Sequence, residues 1–250
     1  MSGEFLGIFS KIYSISMFVP CNIQFNYDRY DHEINMQISF GNKKIATAQT
    51  LKFLELTIDT SLTWKYHIGE LTSRLKKACR AIRSIKPFMS LDVLRSTYFL
   101  CVHSIISYGI IFWGNSSHSE EIFKIQKRII RIIMNSSKNA SFWQLFKELN
   151  ILPIQSQYVF SILLFVTKNK DQFISNSQVH KISIRQTSDL YVPTANLTIY
   201  QKGVYYLGIK IYNHLPTAIK DLYGDESKFK LALKRYLLHN SYYSLEEYYN

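Results

Sequence analysis

Residues 63–88 read TWKYHIGELTSRLKKACRAIRSIKPF, and residues 107–134 read SYGIIFWGNSSHSEEIFKIQKRIIRIIM. In the first stretch Ile68, Leu71, Leu75, Ala78, Cys79, Ile82 and Ile85 fall on one stripe at helical spacing, and Pro87 closes the helix. At about 100° per residue, Lys76, Arg80 and Arg83 point away from that stripe, with Lys77 beside them. The second stretch repeats the pattern. Ile122, Ile125, Ile129, Ile132 and Ile133 make an apolar side, and Lys124, Lys127, Arg128 and Arg131 make the other. Ser117-x-x-Glu120 has capping-box spacing and predicts where this helix starts. Neither basic stripe reads as interleaved with acids at i,i+4, the pattern of a plain solubilising face.

Outward from these helices, Ile34, Met36, Ile38 and Phe40 alternate with Asn35, Gln37 and Ser39. Gly41-Asn42 supplies a two-residue turn, and Lys44 to Gln49 runs back. A further strand carries Leu54, Leu56 and Ile58 on one side and ends at Asp59, with a turn at residues 60–64. Ser90 caps a helix from Leu91 to about Tyr108, apolar nearly all round and so expected at the centre, before Gly109 and Gly114 break the chain. Ser141-x-x-Gln144 caps a short helix, Phe142 to Leu149, and another runs from near Pro153 to about Lys168. Asp171 to Gln186 reads as a linker or long loop, Leu190 to Pro193 as a short extended piece, and Ser227 to Leu238 as a final helix; Tyr200 to Tyr212 is ambiguous in period. The fold class is mainly α with a small N-terminal antiparallel sheet. Its divisions are an unassigned segment 1–33, a sheet 34–64, a helical bundle 65–170 and a C-terminal helical extension 171–250.

The chain has 250 residues, 47% hydrophobic, with 9 Gly and 5 Pro, enough to bury a sizeable core. Its 30 Lys and Arg against 18 Asp and Glu give +12, which favours an anionic partner, nucleic acid or lipid surface. From Lys65 to Lys138, thirteen Lys and Arg face four Asp and Glu, so this segment holds +9 of that charge. Three scattered cysteines, Cys21, Cys79 and Cys101, fit neither a disulfide framework nor a metal spacing, and predict a reducing intracellular compartment. The apolar runs Tyr98 to Trp113 and Tyr158 to Val166 are shorter than a membrane span and read as buried helices. His67 and His103 border apolar stripes and read as core histidines, not metal ligands. Glu120-Glu121 sits at a helix N-terminus and Glu246-Glu247 in an acidic tail.

Six segments, KFLELTIDTSLTWKYHI, RLKKACRAIRSIKPF, YFLCVHSIISYGIIFWGNSS, IFKIQKRIIRIIM, LFKELNILPIQSQYVFSILLFV and YQKGVYYLGIKIYNHLP, resemble in that order the tail of jockey-type non-LTR retrotransposon polyproteins. The resemblance covers roughly residues 34–250; residues 1–33 match nothing in it, as in a truncated or frame-shifted copy with a new start. It implies the end of a reverse transcriptase palm, a thumb that tracks the template-primer backbone, and a tail. The parent enzyme, an RNA-directed DNA polymerase, works by two-metal phosphoryl transfer with Mg2+ held by clustered palm aspartates. No Asp-Asp pair exists in this sequence, and Asp28 and Asp31 do not sit in a palm-like motif. The chain therefore carries no catalytic or metal residues of its own, takes no cofactor and is expected not to polymerise.

Where the family reads Phe-Leu-Gly in its primer-terminus hairpin, this chain has Phe53-Leu54-Glu55, which replaces a conformationally free residue by one with a Cβ and a negative charge. The resemblance assigns sequence-independent contact with an RNA or DNA template-primer duplex to Lys76, Lys77, Arg80, Arg83, Lys124, Lys127, Arg128 and Arg131. Other partners are the missing polymerase portion or a second copy. The competing readings are a helical structural or interaction protein, and a basic membrane-surface protein with no membrane span.

Overall fold

Helix-forming periodicity becomes helix over most of the described residues. The structure, a computed structural model, describes residues 39–40, 43–44, 48–136, 140–177, 189–196 and 198–250. The chain divides into two units, Met1–His67 and Ile68–Asn250. It is mainly helical with small antiparallel β pairs, the fold class expected from the sequence.

In the first unit, β1 (Ser39–Phe40) pairs antiparallel with β2 (Lys43–Lys44), Phe40 opposite Lys43; the expected turn residues Gly41 and Asn42 lie outside the described residues. The remainder of that predicted hairpin, residues 34–38 and 45–47, lies outside the described residues, as do Asp28 and Asp31. The single strand expected through Leu54 and Ile58 is instead a hairpin. β3 (Thr50–Phe53) pairs with β4 (Leu56–Asp59), and Leu54 and Glu55 form its turn, with φ of 46° and 61°. Left-handed φ at both central residues is the two-residue turn whose twist matches the strands, which alternation alone cannot reveal. Glycine takes this conformation freely, whereas Glu55 is strained there by about 1 kcal/mol, offset little by its exposed ion pair with Lys52 at 2.9 Å.

Asp59, buried at the end of β4, holds the next turn: its carboxylate accepts from the backbone N–H of Thr63 at 2.9 Å and of Trp64 at 2.8 Å. His67 is buried and its Nδ1 accepts from the Thr57 N–H at 3.4 Å, a core histidine as predicted.

The second unit starts along α1 (Lys65–Ile85), whose Ile68, Leu71, Leu75, Cys79 and Ile82 are buried. A 3-10 turn containing Pro87 ends it. Next come α2 (Leu91–Tyr98), a π turn (Phe99–His103) and α3 (Ser104–Ser107) without a break; Ser90 Oγ accepts from Val93 N–H at 3.5 Å. This region is not the central helix that its composition suggested. Leu94, Tyr98, Val102 and Ile106 are buried, while Leu91, Val93 and Leu100 are exposed, along with Phe88 and Met89 before them. The buried residues step by four, which drifts around a regular helix of 3.6 residues per turn; the wider π turn absorbs that drift and keeps all four on one face.

Gly109 follows at φ 61°, turning the chain into α4 (Ile110–Trp113). Gly114 is required by close approach: a Cβ there would fall on the Tyr158 ring and 2.7 Å from the Ile110 carbonyl oxygen.

The central helix is α7 (Ile154–Lys168). It packs against α3, α4, α5 (Ser119–Met134), α9 (Val204–Asn213) and α11 (Glu226–Asn240), with Ile154, Tyr158, Val159, Ile162, Leu163 and Val166 buried. Between α5 and α7 lies α6 (Phe142–Glu148). Gln126 of α5 is the polar joint of this core. Its Nε2 donates to Tyr98 Oη at 2.8 Å and to the Leu152 carbonyl at 3.0 Å, and its Oε1 accepts from Ile154 N–H at 3.0 Å. Each of these groups would be costly to bury alone, so the joint fixes α2, α5 and the start of α7 in one register. Burial pushes the Tyr98 hydroxyl above its ordinary pKa, so it stays protonated.

The C-terminal region adds α8 (Thr198–Gln201), α9, α10 (Thr217–Lys220), α11 and α12 (Leu245–Tyr249). The piece at Leu190 makes an antiparallel bridge to Ser175, and the side chain of Asn213 bonds both ways to its backbone at 2.8 Å. Beside it, buried Lys220 meets buried Asp189 at 2.7 Å. Of the expected linker 171–186, residues 178–186 lie outside the described residues, while Lys170–Gln172 form a 3-10 turn.

Two capping expectations are corrected. Ser117 and Glu120 form no box: α5 is preceded by His118, without a side-chain cap. Ser141 precedes α6 but makes no cap hydrogen bond. A related reciprocal cap forms at Ser244 and Glu247, where Ser244 Oγ accepts from Glu247 N–H at 3.1 Å and Glu247 Oε2 accepts from the N–H of Tyr243, the residue before the cap, at 2.6 Å. The acid pair read as tail therefore opens α12.

Candidate nucleic-acid interface

The ends of α1 and α5 build the site. Arg83 lies in the last turn of α1 and Lys86 in the 3-10 turn after it. Along α5, Lys124, Lys127, Arg128 and Arg131 recur at three, one and three residues, on the side opposite buried Ile122, Ile125, Ile129 and Ile133. A Schellman motif ends α5: Asn135 is left-handed at φ 51°, Ser136 N–H bonds the Arg131 carbonyl at 3.3 Å, and Asn135 N–H bonds that of Ile132 at 3.4 Å. That turn aims the Asn135 side chain at Lys86, whose Nζ donates to Asn135 Oδ1 across 49 residues of sequence.

These residues, with Ile132, Ser136 and Phe142, line an open cleft of about 580 Å³. Six cations face it, and no acid lines it among the described residues. Phe142 braces two of them from the start of α6. Arg131 Cζ stands 4.0 Å from its ring centroid and Lys127 Nζ 5.5 Å, while Lys127 is 4.3 Å from Phe123. A cation over a ring is attracted by its quadrupole while its N–H groups remain able to donate at the edges, so these two charges are positioned before any ligand arrives. Lys124 is held otherwise, 3.2 Å from Glu120 at i,i+4. The absence of such pairing expected from the sequence is thus wrong for this one residue.

Five of the eight residues named from sequence therefore converge: Arg83, Lys124, Lys127, Arg128 and Arg131. Lys76, Lys77 and Arg80 are exposed on α1, as their angle predicted, but line no part of the cleft. Lys86, Asn135, Ser136 and Phe142 were missed. Lys86 sits three residues after Arg83, a spacing that could have signalled it. The other three depend on a helix end and a neighbouring helix, which periodicity does not locate.

A bland alternative has a definite magnitude. Cations at helix C-termini offset about half a negative charge per helix, and both α1 and α5 end here. One residue would satisfy each end; six exceed that need severalfold.

The C-terminal tyrosines are largely structural. Tyr206, Tyr212 and Tyr248 are buried, and Tyr248 Oη donates to the Ile211 carbonyl at 2.9 Å. His103 is half-buried, and burial, with Lys234 nearby, holds its pKa below the ordinary value. No group of three His, Cys, Asp or Glu converges among the described residues, and none of their helices is long and apolar enough to cross a membrane. Comparison of the chain with family models, curated proteins and solved structures found no match.

Proposed function

We propose that this chain derives from the thumb and tail of a non-LTR retrotransposon reverse transcriptase and binds nucleic-acid backbone without reading sequence, inside the cell. The observation that carries the binding role is the convergence of Arg83, Lys86, Lys124, Lys127, Arg128 and Arg131 on one cleft that no acid lines among the described residues. Cations that release counterions from phosphate give affinity that is indifferent to base and steeply dependent on salt. The ancestry rests on the six ordered segments of sequence. In this reading the chain binds a template-primer duplex or structured RNA but does not extend a primer, because the paired aspartates of the parent chemistry are missing from the sequence.

A filter-binding titration over several salt concentrations tests it. Five cations other than the Glu120-held Lys124 give a log-log slope of about −4.5 on duplex DNA. A slope near zero overturns the reading, as does nucleotide incorporation above a no-protein control in Mg2+ or Mn2+.

A second reading, a helical interaction protein, has its own observation: Phe88, Met89, Leu91, Val93 and Leu100 are exposed together around the start of α2 and the π turn. It predicts concentration-dependent association that hardly responds to salt.

A further inference from the structure

We propose that the cleft is built for a compact triphosphate group, the 5′ end of an RNA or a free polyphosphate, in preference to the internal phosphodiesters of a strand. This deepens, and rests on, the phosphate-binding reading above. Charge density favours a compact group over a diester path. A strand places one charge per about 3.4 Å of axis, so two or three diesters extend over roughly 7–10 Å of it, whereas a triphosphate gathers its charge within reach of one cluster of side chains. Six cations face the cleft. Subtracting about one charge for Glu120 against Lys124, and about one for two helix C-termini, leaves about +4. A triphosphate brings nearly that charge, about −4, into the same span, because its terminal phosphate is doubly ionised.

The donors also suit a group with oxygens on every side. Arg83 and Lys86 approach from the end of α1, and Arg128, Lys127 and Arg131 from α5. Ser136 Oγ is buried at the cleft with no hydrogen-bond partner among the described residues, a hydroxyl already desolvated and placed to donate to a phosphate oxygen. Lys76, Lys77 and Arg80 are exposed on α1 and line no part of the cleft.

The full chain is titrated with one RNA oligonucleotide bearing either a 5′-triphosphate or a 5′-hydroxyl, and with inorganic tripolyphosphate alone as competitor. The triphosphate end is expected to bind about tenfold tighter, the gain of one or two charge-assisted contacts. Tripolyphosphate should displace it, and Lys86→Gln with Ser136→Ala should erase the difference without altering the thermal melting of the free chain. Melting lowered by the pair is resolved by Lys86→Gln alone, which must then narrow the difference. Equal affinity for the two ends overturns the inference and leaves backbone binding standing. Tripolyphosphate binding with no RNA binding supports the inference for a free polyphosphate and overturns the nucleic-acid reading. Binding of none of the three overturns both.

Discussion

The basic stripes of α1 and α5 look alike as sequence and differ in what surrounds them. All four α5 cations line the cleft, and two of them rest over Phe142. Of the four cations in the α1 stripe, only Arg83 lines it; Lys76, Lys77 and Arg80 are solvent-exposed farther back along the helix. An amphipathic helix fixes which residues face away from its core, but a site needs a second surface opposite. For α5, the start of α6 and the end of α1 supply it. Strength of binding should follow that difference and not the count of charges.

Reversing Lys124, Lys127, Arg128 and Arg131 to Glu gives the largest expected effect. The salt slope falls below about 2 in magnitude and affinity drops at least about a hundredfold, measured by filter binding at matched salt. Reversing Lys76, Lys77 and Arg80 to Glu is expected to change affinity by about threefold at most and the slope by less than about 1. A loss as deep as that of the α5 variant would show that the exposed α1 face, and not the cleft, carries the phosphate. The smallest effect sharpens the contrast within α5. Glu120→Gln releases Lys124 from its carboxylate and should tighten binding about twofold, because an exposed i,i+4 pair is worth only about 0.3–0.5 kcal/mol. Weaker binding by that variant would mean Glu120 serves to position Lys124.

The two apolar runs give a parallel lesson about the fold. Tyr158–Val166 lies in α7, against five helices, and is buried as read. Tyr98–Trp113 is equally apolar, but its first half shows one face to solvent. Composition reports that burial is favourable; only the partners available decide how many faces receive it. Likewise, two residue patterns had capping-box spacing, yet the reciprocal serine–glutamate cap formed at Ser244 and Glu247, the latter in an acid pair read as tail. Extended backbone at the cap is needed but is not enough: Ser244 has ψ 166° and caps, His118 before α5 is helical with ψ −13°, and Ser141 is extended with ψ 120° yet makes no cap bond.

The hairpin at residues 50–59 joins the two lessons. Alternation at Leu54, Leu56 and Ile58 could not show that Leu54 and Glu55 turn left-handed, because the usual mark of such a turn, a glycine, is absent here. A glycine in place of Glu55 would take the φ of 61° without strain.

By itself the sequence determined the helices, their apolar faces and the gathering of positive charge between Lys65 and Lys138, because 3.6-residue periodicity and charge are properties of neighbours along the chain. Tertiary structure alone decided that Lys86, Asn135, Ser136 and Phe142 join five of the predicted cations around one cleft. The reason is reach. Residues 49 positions apart, such as Lys86 and Asn135, meet only when buried packing of α5 against α2, α6 and α7 has set where each helix ends.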